Sequence, residues 1–285
     1  MTYPMQDAFA HCEGLVRAAD RDRFLTILFA PAEHQPALLA LYAFNLEIAR
    51  VREIVHEPLA GEIRLQWWSD VLEGEGRGEV AAHPVAAALL ASVGRYRLGS
   101  ERLKALIAAR RFDLDNEPMR SLGDLEAYAE GASAGLIVLA AQVLADGLDI
   151  GALGHHAGLA YAFAGLLAAF PMHAARGKVF VPLDILARHG AAREDAVSGQ
   201  ATPQLHAALA ELRLHARQHL RAAQELLASA PPAVIPALLP VALAGPMLAR
   251  MERRGYDPFT PSEIAPWQRQ LRIWRAARSP RRIFR

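Results

Sequence analysis

The chain has 285 residues, enough for a sizeable core in one large domain or two modest ones. Hydrophobic residues make up 53% and charged residues 21%, a composition that excludes a disordered, collagen-like or disulfide-stapled protein. With 31 basic and 30 acidic residues the formal charge is +1, so no global field draws nucleic acid, and an electrostatic partner must be met by a local patch.

Cys12 is the single cysteine, which rules out an intrachain disulfide and a cysteine-built zinc site; it reads as a free thiol near a mobile terminus. The amino-terminal stretch has no charged start followed by an apolar run. It also carries Asp7, Glu13, Asp20 and Asp22, so neither a signal nor a mitochondrial transit peptide is expected.

Apolar residues recur at helical spacing in segment after segment, and no run alternates in the manner of a strand, so the fold class is all-α. Over residues 35–55, Leu41, Phe44, Ile48, Val51 and Val55 form one stripe with steps of three and four, which belongs in a core. Further helices are predicted over 63–72, 84–96, 101–111, 122–144, 157–170, 204–229, 234–253 and 263–277. Breakers separate them at Pro58, residues 74–78, Gly99, Pro118, residues 147–154, Pro182, Pro203, residues 231–232 and residues 258–261. None is long enough for a linker, so a single domain over 1–285 with a basic tail over 278–285 is expected.

Residues 136–144 and 157–170 are apolar nearly all round, which suits a central pair of helices in a large bundle. The longest uncharged apolar run, 157–172, is broken by Pro171 and falls short of the roughly 20 residues a spanning helix needs. The expectation is therefore a soluble protein. Glycine-rich phosphate loops, nucleophile elbows and paired-histidine metalloprotease motifs are absent.

The stretch from Asp20 to Val55, anchored on Tyr42-Ala43-Phe44, resembles the opening of the squalene and phytoene synthase family. Further matches follow in order at Leu65-Gln66-Trp67-Trp68, His83-Pro84-Val85, Asp113-Leu114, residues 125–128 and 176–182, so the resemblance covers about residues 20–190. It implies a single large helical bundle of the isoprenoid synthase type with a central cavity. Active members of that family carry two aspartate pairs at i and i+4. That spacing puts both carboxylates on one helix face, where they hold magnesium against a diphosphate leaving group. The matching positions here are Ala49 and Glu53 for the first pair and Ala169 and His173 for the second, so three of the four carboxylates are missing. Pro171 between the latter two is expected to spoil the helical geometry as well.

One branch of the family departs in the same way, the branch of a mitochondrial respiratory complex I assembly factor and its bacterial relatives. This chain is similar to it at residues 44–51, at Pro171-Met172-His173, through residues 178–185 and at His189-Gly190. The resemblance implies a catalytically inactive protein acting in complex I assembly. It would have no catalytic residue, metal or cofactor, and its partner would be a complex I subunit or assembly intermediate. It would work in the bacterial cytoplasm, peripherally on the inner face of the membrane. Two alternatives stay open: a head-to-head prenyl transferase, which alone would need magnesium, and a non-catalytic isoprenoid-binding protein.

The degenerate pocket positions are Tyr42, Ala49, Glu53, Ala169 and His173. Glu47 and Glu53 read as residual ligands or, beside Arg50 and Arg52, as solvated ion-pair partners. His173 reads as a base or ligand, or as a structural residue past a proline. Arg176 and Lys178 suit a phosphate or an acidic partner, or solvated surface. Trp67, Trp68 and Tyr128 suit bundle packing or cation stabilisation. Asp113 and Asp115 read as loop or helix-end residues. After Glu263 no acid follows but seven arginines do, Arg281 and Arg282 among them. Trp267, Leu271 and Trp274 share a helix face, and Ile283 and Phe284 add an apolar tip. That pattern suits an anionic membrane surface, the alternative being that both tryptophans are buried in the bundle.

Overall fold

Proline and glycine decide where the helices of this chain begin and end. Proline lacks the backbone donor that the first turn of a helix leaves unused, so it starts helices where it would break their interiors. Pro58, Pro84, Pro203 and Pro266 all occupy the first helical position. The structure, a computed structural model, describes residues 5–55, 57–76, 80–115 and 117–285. Residues 1–4, and Arg77 and Gly78 of the expected breaker, lie outside the described residues.

The helices are α1 (Met5–Ala19), α2 (Arg21–Ile27), α3 (Gln35–Ala49), α4 (Val51–Ile54), α5 (Pro58–Glu73), α6 (Pro84–Tyr96), α7 (Ser100–Arg111), α8 (Leu122–Ala129) and α9 (Gly135–Leu144). They continue with α10 (Gly151–Ala168), α11 (Phe170–Ala175), α12 (Leu183–Arg188), α13 (Arg193–Val197), α14 (Pro203–Leu226), α15 (Ile235–Leu238), α16 (Ala244–Met251) and α17 (Pro266–Arg278). No strand occurs among the described residues, as the sequence pattern requires. Side chains close several first turns: Asp20 accepts from the Arg23 amide, His83 from Ala86 and Thr202 from Leu205, while Ser121 and Asp124 form a reciprocal capping box. At the other end of α5, Gly74 takes a left-handed φ of 78°, a conformation that only a residue without Cβ adopts freely.

The chain folds into two compact units, each assembled from three stretches. The first comprises residues 1–115, 135–151 and 230–240. Here α1 packs on α3 and α6, α5 on α7, and α9 on α3, α7 and α15. The predicted stripe Leu41, Phe44, Ile48, Val51 and Val55 is buried throughout. The second unit comprises residues 116–134, 152–229 and 241–285. Its long helix α14 buries Leu205, Ala208, Leu209, Leu212, Ala216, Leu220 and Ala223 at steps of three and four, packing against α12 and α16. The two nearly all-apolar segments fall in different units, α9 in the first and residues 152–168 of α10 in the second.

Several expectations are corrected. Residues 5–27 carry two helices that the hydropathy pattern did not announce, because α1 buries Ala8, Cys12 and Val16, a stripe at i, i+4, i+8 made of small side chains. Cys12 is thus fully buried rather than near a mobile end, and burial together with the charge of Glu47 pushes its thiol up to about 12. The helix predicted over 234–253 is broken into α15, a tight turn at Leu239–Leu243 and α16, since Pro240 removes an amide from the ladder. The helix predicted over 35–55 divides at Arg50 into α3 and α4. By length and composition alone, residues 122–144 and 232–251 are long and apolar enough to cross a membrane. In each, 78% of the apolar window is buried within the protein, which accounts for its composition.

Residues 122–144 bend through a π turn, Glu130–Ala134, between α8 and α9. That wide turn meets α10 with backbone against backbone. A Cβ on Gly158 would sit 2.2 Å from Cα of Ala134, and the Ser133 hydroxyl donates to the Gly158 carbonyl at 3.0 Å. Gly165, on the same helix, has nothing within 4 Å of where its Cβ would lie. Two opposite outcomes follow from one substitution type. Gly165→Ala should raise stability by up to about 1 kcal/mol through helix propensity. Gly158→Ala should lower it by about 1–3 kcal/mol, because the clash is with backbone and outweighs that gain. Urea unfolding midpoints of the two variants check this.

Candidate functional site

In the first unit the first aspartate-pair frame falls across the junction of α3 and α4. The Glu53 amide donates to Arg50 at 2.9 Å rather than four residues back, so the turn is tightened at the very place where an i, i+4 pair would sit. Ala49 is half-buried and Glu53 exposed. Tyr42 is buried, with the Arg23 guanidinium 5.5 Å from its ring centre. The face of this junction that lines a cleft is a different one: Leu46, Glu47, Arg50, Val51 and Ile54, opposite Arg64, Trp67, Trp68 and His83. The cleft measures about 510 Å3.

His83 organises one wall. Its Nδ1 accepts from the Ala86 amide at 3.3 Å, so the neutral ring carries its proton on Nε2, which lies 3.4 Å from Oε2 of Glu47. Trp67 and Trp68 pack edge to face at 5.0 Å, both rings contact His83, and Trp68 is buried against Phe44. Bundle packing is therefore what Trp68 does, while Trp67 stays half-exposed on the cleft wall. Asp113 pairs with Arg110 just past α7, and it and Asp115 are loop residues as expected.

In the second unit the frame falls on Ala169 and His173, where the expectation about Pro171 is wrong. The His173 amide donates to the Ala169 carbonyl at 3.0 Å, so the i, i+4 relation survives. Pro171 sits in the first turn of α11, where the missing donor costs nothing. What is gone is the carboxylate chemistry. His173 packs edge-on against Phe180 at 4.9 Å, and its carbonyl accepts from the amides of Arg176 and Lys178, both at 3.0 Å. Around it Leu125, Phe163, Leu167, Phe170, Phe180 and Leu212 leave a cavity of only about 20 Å3, room for one water and not for a prenyl chain. Arg176 is exposed; Lys178 is 8% exposed, with its ammonium 5.6 Å from the Phe180 ring centre. Of the two, Arg176 is thus the surface group and Lys178 is not. Tyr128 stacks on Phe180 at 5.4 Å.

The magnesium that the fold family implies needs several hard oxygen ligands. Ala49 and Ala169 offer none, His173 offers an imidazole set against aromatic side chains, and Glu53 lies in a tightened turn beside Arg50 and Arg52. These positions do not fit the ion cluster.

The sequence reading missed a group of imidazoles in the second unit. His155 and His156 on α10 and His219 on α14 have ligand-capable atoms within 4.8 Å of one another. Nδ1 of His156 is 2.9 Å from Nδ1 of His219, and Nδ1 of His155 is 2.6 Å from Oε2 of Glu130 on the π turn. Burial, reinforced by the imidazoles of His156, His155 and His215, holds His219 down to about 4. Burial and His155 lower His156 as well. The adjacent pair 155–156 and the i, i+4 pair 215–219 were the visible signals.

At the carboxyl terminus, Trp267 and Trp274 are exposed at 63% and 46%, so they are not bundle packing. Leu271 between them is half-buried, and Arg281 and Arg282 are exposed. The Arg278 guanidinium lies 4.7 Å over the Trp274 ring. Ile283 and Phe284, expected as an apolar tip, are buried instead, and the chain end packs so closely on α16 that a Cβ on Gly245 would meet the Arg285 carbonyl oxygen at 2.4 Å.

Comparison with known proteins agrees with this architecture. The description of the squalene/phytoene synthase family matches residues 16–280. The protein named "NADH dehydrogenase (ubiquinone) complex I, assembly factor 6" of Rattus norvegicus is 30% identical over 276 residues, 94% of this chain and 83% of its own. A phytoene synthase of Arthrospira platensis is 23% identical over 285 residues, 93% of this chain and 91% of its own. The fold is that of a crystallised dehydrosqualene synthase in complex with a ligand, with a TM-score of 0.81, 18% identity and 97% coverage of each chain. With the family description spanning nearly the whole chain and the helices laid out as in that structure, the chain belongs to the squalene/phytoene synthase family.

Proposed function

We propose that this chain is a catalytically inactive squalene/phytoene synthase-like protein that acts in assembly of a respiratory NADH:quinone oxidoreductase, its partner a subunit or assembly intermediate of that complex. The observation that carries the inactive part is the replacement of three ligand carboxylates by Ala49, Ala169 and His173, with aromatic side chains closed over the last. Without a cation cluster nothing in these positions neutralises a departing diphosphate. The assembly part rests on the likeness to the rat assembly factor, which exceeds that to the phytoene synthase.

One observation favours a second reading. The cleft of about 510 Å3 in the first unit, walled by Trp67, Leu46 and Ile54 and rimmed by Arg50 and Arg64, has the dimensions of a small-molecule site. It suits a protein that holds an isoprenoid without transforming it.

Purified protein incubated with farnesyl or geranylgeranyl diphosphate and magnesium or manganese should release no pyrophosphate and yield no coupled hydrocarbon. Metal-dependent product would return the head-to-head prenyl transferase reading. An isoprenoid extracted with organic solvent from the purified protein would favour the ligand-holding reading.

Deletion of the gene should lower assembled complex I and NADH:quinone activity in membranes while leaving squalene, hopanoids and carotenoids in place. Normal activity with a lost isoprenoid product would reverse the assignment.

The place of action in this reading is the cytoplasmic face of a membrane. Trp267 and Trp274 on the outer face of α17, with exposed Arg272, Arg275, Arg278, Arg281 and Arg282, support it. Each arginine near an anionic leaflet contributes about 1 kcal/mol, enough in sum for reversible docking of a nearly neutral protein. Cosedimentation with phosphatidylglycerol vesicles, absent with phosphatidylcholine vesicles and lost as salt rises, is the expected result. Since Ile283 and Phe284 are buried, truncation would unfold the end of the unit, so the test uses Trp267→Ser, Trp274→Ser and Arg275→Gln together. Unchanged binding in that variant would overturn the membrane contact.

A further inference from the structure

The imidazole group in the second unit has no place in prenyl-transfer chemistry or in the reading above. Its three histidines come from two elements, and two carboxylates stand behind them. His155 and His156 project from α10, and His219 comes from α14. Glu130, carried toward α10 by the π turn, lies 2.6 Å from Nδ1 of His155, and Glu126 of α8 lies 3.9 Å from Nε2 of His219. All five residues belong to one compact unit and all are half-buried.

We propose that His155, His156 and His219 form a binding site for a single zinc-type transition-metal ion that ties α10 to α14. Imidazole nitrogen is the donor such ions prefer, at about 2.0–2.1 Å, which puts tetrahedral ligand atoms about 3.3 Å apart. The His156 and His219 nitrogens are already 2.9 Å apart, and all the ligand atoms lie within 4.8 Å, so side-chain rotation closes the site without moving either helix. Glu130 fixes Nδ1 of His155 and turns its Nε2 to the ion, the carboxylate–histidine–metal arrangement that orients a ligand ring. Glu126 stands at Nε2 of His219, on the side of the ring away from the ion, and a water takes the fourth position. Three neutral imidazole nitrogens are a poor set for magnesium, so this site is separate in chemistry as well as position from the lost diphosphate cluster.

The test uses the full chain, stripped with a chelator and titrated with zinc chloride against a zinc-responsive dye, and with cobalt chloride by visible absorption. A single equivalent of zinc should bind, cobalt should give the intense bands of four-coordination, and zinc should raise the melting temperature. His219→Ala and His155→Ala should each weaken zinc binding at least about tenfold, whereas His189→Ala, a histidine outside the group, should leave it unchanged. His155 is partly exposed, so its variant keeps the test valid if the His219 variant folds poorly by circular dichroism. Absence of zinc binding to the wild-type chain would overturn the site. Equal affinity in the His155 and wild-type proteins would do the same, as would an equal loss in the His189 control.

Discussion

The contact of α10 with the π turn at Glu130–Ala134 governs how the second unit is built. Only a residue without a side chain permits the backbone of Gly158 to touch the backbone of Ala134, and the Ser133 hydroxyl then satisfies the Gly158 carbonyl inside that contact. Glu130 opens that turn, and its carboxylate lies 2.6 Å from Nδ1 of His155. The π turn therefore carries two consequences at once. It lets α10 approach closely enough to be buried along Ala157, Gly158, Ala160 and Ala164, and it brings a carboxylate to the edge of the imidazole group.

A second constraint is the cost of desolvating carboxylates. A helix face with two aspartates must be wet or must hold cations, because a buried uncompensated charge costs several kcal/mol. Where this chain has Ala169 and His173, that requirement is lifted, and Phe170, Phe180 and Leu212 close in until about 20 Å3 remains. The first unit behaves differently. There the α3–α4 junction keeps Glu47 and Arg50 on a cleft wall, and His83, whose Nδ1 caps α6, keeps its Nε2 turned to Glu47, so the cleft stays polar at its rim and open. The region around Ala169 and His173 is thus filled with side chains, and the cleft of the first unit is a differently lined space.

Much of this was legible in the sequence because it is written in large apolar side chains. Leu41, Phe44, Ile48, Val51 and Val55 announced a buried stripe, and it is buried. The helix α1 was silent for the opposite reason: Ala8, Cys12 and Val16 are small, and their burial depends on neighbours that local periodicity does not see. Prolines misled in both directions. Pro171 starts α11 where it was expected to destroy the i, i+4 relation, and Pro240 breaks a stretch whose apolar pattern read as continuous helix. The imidazole group was out of reach because His219 lies far along the chain from the adjacent pair His155 and His156. Only the packing of α10 beside α14 joins them.

The carboxyl terminus shows how a nearly neutral protein concentrates charge without distorting its core. Along α17 the inward positions Ile273 and Ala276 are small or slender, which lets the helix lie close to its unit, while Arg272, Arg275 and Arg278 are exposed. The chain then turns back, buries Ile283 and Phe284, and seats its last carbonyl against Gly245, where any larger residue would collide. The end of the helix is thereby held at a fixed orientation. Trp267 and Trp274 stay on the outer face with Arg278 laid over the second ring, so an aromatic surface and a row of cations are presented together. An acid in this segment would pair with those cations and weaken the field locally; after Glu263 the sequence supplies none, and Arg272, Arg275 and Arg278 stand exposed along α17.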